Sequence, residues 1–320
     1  MDKPYLTYVQ QLEKLQNEYG LIISDFDFAL KCIKSFSYYD LVNGYQDLYI
    51  NNGKYINGTT FEQLVALHIF NKNIQGVLIK YSTYVENSFK NILSNVIAKN
   101  ISEDEKVYLD ITKYKKKKNP PQRQKFARLI EKLTQTSIKC TDTPTSHYIN
   151  TKNHIPPWIL FRNVSFSNAT DFLTFINPND KNDFIDQFNV FDDFDLCNDD
   201  KYKILLDSAH IVRKFRNIIA HNLNFLSYRG SDLSKNVNLL FEQTLSSSFD
   251  LKKTWRDTWG MVMAIVILLN NDFLAHNFLA ELQSFMAIDD NIKPLYCKTT
   301  GIPLDYEQRI ANYIDSLKFT

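Results

Sequence analysis

The sequence predicts an all-α protein. Apolar residues recur at three- and four-residue steps along most of its 320 residues, while strand-type alternation is nearly absent. Glycine is also scarce, with 8 residues, about a third of average usage. No G-x-G-x-x-G and no G-K-[ST] occurs, which counts against nucleotide-fold enzymes.

The elements follow in order. Thr7 and Gln10 form a capping box ahead of an apolar stripe of Val9, Leu12 and Leu15. Ser24 or Asp25 starts a second helix through Phe28, Leu30, Ile33 and Phe36. Asn43-Gly44 closes an aromatic-rich segment. Asn52-Gly53 and Asn57-Gly58 bracket Lys54-Tyr55-Ile56 in a tight connection that allows a small hairpin. Thr59-Thr60-Phe61-Glu62 reads as another capping box. It opens the longest apolar period in the chain, from Leu64 to Val96, either as one helix or as two broken near Gly76. Further helices are expected at 122–134, 169–176, 201–222, 234–245, 254–269 and 305–317. The Thr-, Ser-, Asn- and Pro-rich stretch 141–157 reads as a loop.

Composition narrows the class. Apolar residues are 44% and charged residues 23%, a globular rather than disordered balance. Lys plus Arg total 37 against 36 Asp plus Glu, so any nucleic-acid site must come from local clustering. Cys32, Cys140, Cys197 and Cys297 are scattered with no C-x-x-C, which fits a reducing cytoplasm. The first residues carry no apolar run. The longest apolar stretch, Trp259 to Leu269, falls short of the roughly 20 residues of a bilayer span. A cytoplasmic protein without membrane contact is the expectation.

The chemistry concentrates on the helix from Ile204 to His221. At about 100° per residue, Ile204, Leu205, Ile211, Val212, Phe215, Ile218 and Ile219 share one arc. His210, Arg213, Asn217 and His221 share the opposite arc, and Arg216 sits at its edge. Imidazole, amide and guanidinium together suit a phosphodiester, because guanidinium pairs with phosphate oxygens and histidine titrates near neutrality. The same residues also fit a solvated face near a helix end.

Blocks elsewhere bear on that choice. They are Lys3-Pro4-Tyr5-Leu6-Thr7, Gly20-Leu21-Ile22-Ile23, Phe36-Ser37-Tyr38-Tyr39, Gly58-Thr59-Thr60-Phe61 with the helix bearing Glu86, Pro156-Pro157-Trp158, and Arg213 to Asn222. In order and spacing they resemble the Abi-like (AbiD/AbiF) abortive-infection family over residues 3–225. That family is similar to the HEPN superfamily of all-α ribonucleases, marked by an Arg, four to six residues, and a His. The resemblance implies a HEPN-like helical domain at 59–285 with a basic insert at 113–128, an N-terminal helical segment at 1–58 and a C-terminal one at 286–320. It implies RNA cleavage in phage defence by attack of a ribose 2′-hydroxyl, without metal or cofactor. His221 would be the acid or base, Arg216 would stabilise the phosphorane charge, and Asn217 would orient the His or bind phosphate. The chain differs from relatives that continue His-His-x-Arg, since it has His221-Asn222-Leu223-Asn224, and it has Asn71 and Asn73 where they carry Asp and Arg. The alternative is a non-catalytic module that holds a structured non-coding RNA.

Outside this helix, Lys113, Lys115, Lys116, Lys117, Lys118, Arg123, Lys125 and Arg128 form a stretch without an acid, broken by Pro120-Pro121. It is either a solvated loop or a phosphate-tracking arm. Lys115 to Lys118, Arg123 and Lys125, with Arg213, are the candidate RNA contacts, and Tyr108 and Tyr114 could stack bases. Asp192, Asp193, Asp195, Asp199 and Asp200 lack the Gly and terminal Glu of an EF-hand and read as an acidic cap for the next helix. His68 and His276 read as surface or satisfied interior residues. A homodimer is also expected. One His can hardly deprotonate the 2′-hydroxyl and protonate the leaving oxygen on the far side of phosphorus, and the chain has one Arg-x4-His motif.

Overall fold

The computed structural model describes residues 4–115, 118–191, 196–223, 225–226, 228–230, 256–287 and 292–316. It is all-α with almost no strand. Helix α1, Tyr8–Asn17, begins at the expected box, where the Thr7 N–H donates to Gln10 Oε1 at 2.9 Å. Asp25 caps α2, Phe26–Phe36. A π-helical turn, Tyr39–Asn43, and α3, Gln46–Tyr49, lead to a two-stranded hairpin of β1, Ile50–Asn51, and β2, Lys54–Tyr55. Its Asn52-Gly53 turn has both residues at positive φ, +50° and +77°, as a two-residue hairpin turn of type I′ requires.

Helix α4 runs unbroken through Gly76 from Phe61 to Asn100. Its capping box is Thr60 with Gln63, one residue beyond the expected Thr59 and Glu62. Thr59 is already engaged, because its hydroxyl donates to the Ile56 carbonyl at 2.7 Å and its own carbonyl accepts from the Ile22 N–H at 3.0 Å. After α5, Glu105–Tyr108, and a 3-10 turn at Ile111–Lys113, α6 spans Pro120–Lys139. Proline at its first turn removes an N–H that would have no helical partner.

The stretch expected as a loop contains α7, Thr145–Thr151, whose side chains give no N-cap bond for a sequence reading to find. Helices α8, Pro157–Leu160, α9, Phe166–Leu173, and α10, Pro178–Ile185, precede a 3-10 turn at Asn189–Phe191. Then follow α11, Asn198–Ala220, α12, Thr258–Leu269, α13, Asp272–Met286, α14, Ile292–Thr300, and α15, Tyr306–Ser316. The helix expected at 234–245 lies outside the described residues.

The core has two parts. Residues of α1, α2, the π-turn and the start of α4 close a smaller cluster around Leu12, Ile33, Leu41, Phe61 and Leu64. The larger cluster surrounds the rest of α4 and takes in α6 and α8–α15. Helix α12 is buried at every residue, so its all-round apolar sequence is that of a central helix. Helix α11 packs on α12 and α4. Among the described residues no helix is long and apolar enough to cross a membrane. Tyr108 and Tyr114 are core residues rather than base-stacking surfaces. Their exposures are 0% and 5%, and their hydroxyls donate to the carbonyls of Ile155 at 2.7 Å and Tyr108 at 2.5 Å.

Candidate active site on helix α11

Helix α11 divides as its wheel requires. Ile204, Leu205, Ile211, Val212 and Phe215 are buried, Ile218 and Ile219 half-buried, and Asn217 and His221 exposed. Asp199 and Asp200 lie in its first turn, where carboxylates favour the helix dipole. Asp192, Asp193 and Asp195 lie outside the described residues, as does Asn224.

The helix ends in a Schellman arrangement. Asn222 N–H donates to the Ile219 carbonyl and Leu223 N–H to the Ile218 carbonyl, both at 3.0 Å. Asn222 takes the left-handed conformation this needs, at φ +53°, which Asn tolerates better than most residues. His221 is therefore the C-cap residue. Its own N–H is tied to the Asn217 carbonyl at 3.0 Å, and its ring lies on the exposed side.

Arg216 is set from α4. Its Nη2 pairs with Glu86 Oε2 and its Nη1 donates to Asn217 Oδ1 at 3.2 Å. Glu86 Oε1 in turn pairs with Lys90 Nζ at 2.6 Å, and both of those side chains are largely buried. Arg216 and Asn217 are thus brought together one helical turn before His221, and Glu86 fixes the guanidinium's direction. The sequence reading placed Glu86 on the long helix without a role and missed Lys90. The available signal was Glu86-x-x-x-Lys90, an opposite-charge pair one turn apart on the long helix.

Asn222 is held from two elements. Its Nδ2 donates to Asp40 Oδ2 on the π-turn at 3.2 Å, and its Oδ1 accepts from Lys72 Nζ on α4, which also donates to Gln75 Oε1 at 3.2 Å. These groups, with His68, line a cavity of about 30 Å³ immediately beyond His221. The turn makes a testable demand. Asn222→Ala should cost about 1–2 kcal/mol from its left-handed backbone besides the lost bonds. Asn222→Gly, which has no Cβ to clash, should cost less. Equal midpoints in denaturant unfolding would show that the backbone at residue 222 carries none of the cost.

His68 is a satisfied interior residue. It is 5% exposed, and its Nδ1 meets Tyr45 Oη at 3.0 Å. Asn71 Nδ2 donates to that same oxygen at 3.3 Å and Asn71 Oδ1 accepts from Tyr296 at 3.1 Å. Burial, then the Lys72 cation, push the His68 pKa below its ordinary 6.5, with Asp40 opposing. The unfolded chain therefore binds a proton near pH 6.5 that the folded ring refuses until lower pH. Thermal stability should decline as pH falls from 7 through that window, and His68→Gln should flatten the decline. An unchanged slope in His68→Gln would assign the pH dependence to other groups.

The basic stretch sits near the other end of the polar face. Lys125 Nζ pairs with Asp171 on α9 at 2.7 Å, and Arg213 Nη1 donates to Ser167 Oγ on the same helix. Helix α9 therefore joins the base of the arm to α11. Arg213 is half-buried and its Nε is buried with no hydrogen-bond partner among the described residues, so part of its guanidinium faces inward. His210, also half-buried, has its pKa lowered by burial and then by Arg213, against Asp171. Lys115 and Lys118 are exposed, and Arg123 donates to the Lys118 carbonyl at 3.2 Å. Lys116 and Lys117 lie outside the described residues. Among the described residues, no group of three or more metal-ligating side chains occurs.

No curated protein and no solved structure matches the chain. A family model described as Abi-like protein matches residues 31–227, a span that includes Asp40, Lys72, Glu86, the basic stretch and all of α11 with His221 and Asn222. That match covers more than half of the chain, and the protein belongs to the Abi-like protein family.

Proposed function

We propose that this protein is a metal-independent endoribonuclease of the HEPN type acting in abortive infection. The family points to abortive infection and phage defence. The observation that carries the step to RNA cleavage is the joint presentation of Arg216, Asn217 and His221 at the exposed end of α11, with the guanidinium held by Glu86. The ribose 2′-oxygen attacks phosphorus, the 5′-oxygen of the next nucleotide leaves, and a 2′,3′-cyclic phosphate remains. His221 moves a proton at one of those oxygens. Arg216 balances charge on the non-bridging oxygens, and Asn217 donates to phosphate or orients His221. Lys115 to Lys118, Arg123 and Lys125 track the backbone, with Arg213 between arm and site. The deciding experiment compares wild type and His221→Ala on mixed RNA, mapping new 5′ ends.

In-line displacement wants a second proton carrier opposite the first, and His210 lies farther back on α11. A twofold-related copy supplies Arg216, Asn217 and His221 from the facing chain, in the isologous arrangement commonest among oligomers. Mass measurement in solution should then give twice 37.5 kDa, and mixed dimers with one His221→Ala subunit should be strongly impaired. A fully active monomer at assay concentration would overturn the composite cleft and turn attention to His210. A non-coding RNA bound along the arm would restrain the nuclease.

A further inference from the structure

We propose that the cleft between α1 and the π-turn is a binding site for an unpaired nucleobase, with Tyr39 as its stacking face. The proposal rests on RNA being the ligand of this protein. It draws on a part of the molecule remote in sequence from α11.

The cleft has a volume of about 740 Å³, within the roughly 300–1,000 Å³ typical of small-molecule sites. Its walls are the extended residues before α1, the exposed side of α1, and Tyr19, Tyr38 and Tyr39. Three phenol rings and several side-chain amides suit a flat, neutral, hydrogen-bonding ligand. Charge argues the same way. Among the described residues that line it the one cation, Lys14, faces Glu18 at 3.7 Å, and Glu13 adds a further negative charge. A phosphate would be repelled there, whereas a base is indifferent to that field. Gln11, whose Nε2 donates to the Leu6 carbonyl at 2.9 Å, ties the residues before α1 to the helix and so fixes that wall of the cleft.

Tyr39 connects this cleft to the active-site helix. It also lines the small cavity formed by Asp40, Lys72 and Asn222, one residue beyond His221. Tyr39 is 64% exposed, so its side chain is open to a ligand. The backbone that presents it is a π-turn, a rare conformation that recurs at functional sites. Gly44 keeps that turn possible, because a Cβ at this position would collide with the Asp40 carbonyl oxygen. The Asn43-Gly44 signal in the sequence thus marks a display element rather than a simple reversal. A base stacked on Tyr39 would lie between the cleft and the turn that follows His221, and would hold the strand beside the scissile phosphate.

The test uses a mixed-sequence 2′-O-methyl RNA 12-mer, which has no 2′-hydroxyl to attack and so reports binding alone. Fluorescence anisotropy should show Tyr39→Ala weakened by about 5- to 150-fold, the range for loss of one stacked base. Tyr39→Phe, which keeps the ring, should bind as wild type. The dependence of log affinity on log salt should be the same in all three, because no phosphate contact is removed. Neutralising Lys115 to Lys118 should flatten that slope instead. Unchanged affinity in a Tyr39→Ala protein with wild-type thermal stability would overturn the base site and leave the cleft to a protein partner. A flattened slope in Tyr39→Ala, or no binding of the probe by wild type, would overturn it too. The cleavage reading fails separately. If His221→Ala cuts RNA as wild type does while Tyr39→Ala loses affinity, the nuclease assignment falls and the base site stands.

Discussion

RNA cleavage by His221→Ala should fall at least about 100-fold below wild type, the lower end of what a positioned acid–base group contributes. The residual activity should persist in EDTA, as should that of wild type, and wild-type products should end in a 2′,3′-cyclic phosphate. The variant is informative because its fold has little reason to change. The His221 ring is exposed, has no hydrogen-bond partner among the described residues, and leaves the backbone bond from its N–H to Asn217 intact when replaced. Surface substitutions of this kind usually shift stability by no more than about 0.5 kcal/mol. A loss of cleavage with an unmoved thermal midpoint therefore reads out chemistry. Full activity in His221→Ala would sink the assignment. Abolition by EDTA would revive the acidic run before α11 as a metal site.

The sequence showed the local features of this site and concealed the long-range ones. The polar arc of α11 is a matter of 100° steps. As those steps predict, α11 exposes Asn217 and His221 and buries Ile204, Leu205, Ile211, Val212 and Phe215, while His210 and Arg213 on the polar arc are half-buried against α9. Likewise Thr7 with Gln10, Asp25, and the Asn52-Gly53 hairpin depend only on neighbours, and all three form. The pairing of Arg216 with Glu86 spans 130 residues and depends on how α4 and α11 cross, which no spacing encodes. The same holds for Asn222, tied to Lys72 and Asp40 at separations of 150 and 182 residues. Some local signals went unread. Asn270 in the left-handed conformation ends α12, and Asn271 caps α13 by accepting from the Leu274 N–H at 2.9 Å. The end of α12 at Leu269 falls where the apolar run stops, as expected at 254–269, but the helix that Asn271 caps, Asp272–Met286, went unread.

Glu86→Ala should destabilise the protein by about 3–5 kcal/mol, the usual cost of removing one partner from a buried ion pair. The carboxylate is the shared anion of two cations. Lys90 and Glu86 expose only 10% and 13% of their side chains, and Arg216 exposes 29%. Without Glu86, the Lys90 ammonium stays buried without its counter-charge, and Arg216 loses the group that turns it toward Asn217. That loss in a chain of this size corresponds to a thermal midpoint lower by about 4–7 °C. Arg216→Ala separates the two roles. It leaves the pair of Glu86 with Lys90 at 2.6 Å untouched, so stability should change little while cleavage falls. The double variant Glu86→Leu with Lys90→Leu removes both buried charges together, and apolar replacements of such pairs are often neutral or stabilising. That protein should melt near wild type and still cleave poorly, because the Arg216 guanidinium is no longer directed. Wild-type cleavage by the double variant would show that Arg216 needs no guide from α4. An unmoved midpoint in Glu86→Ala would show that the Lys90 ammonium reaches water without it.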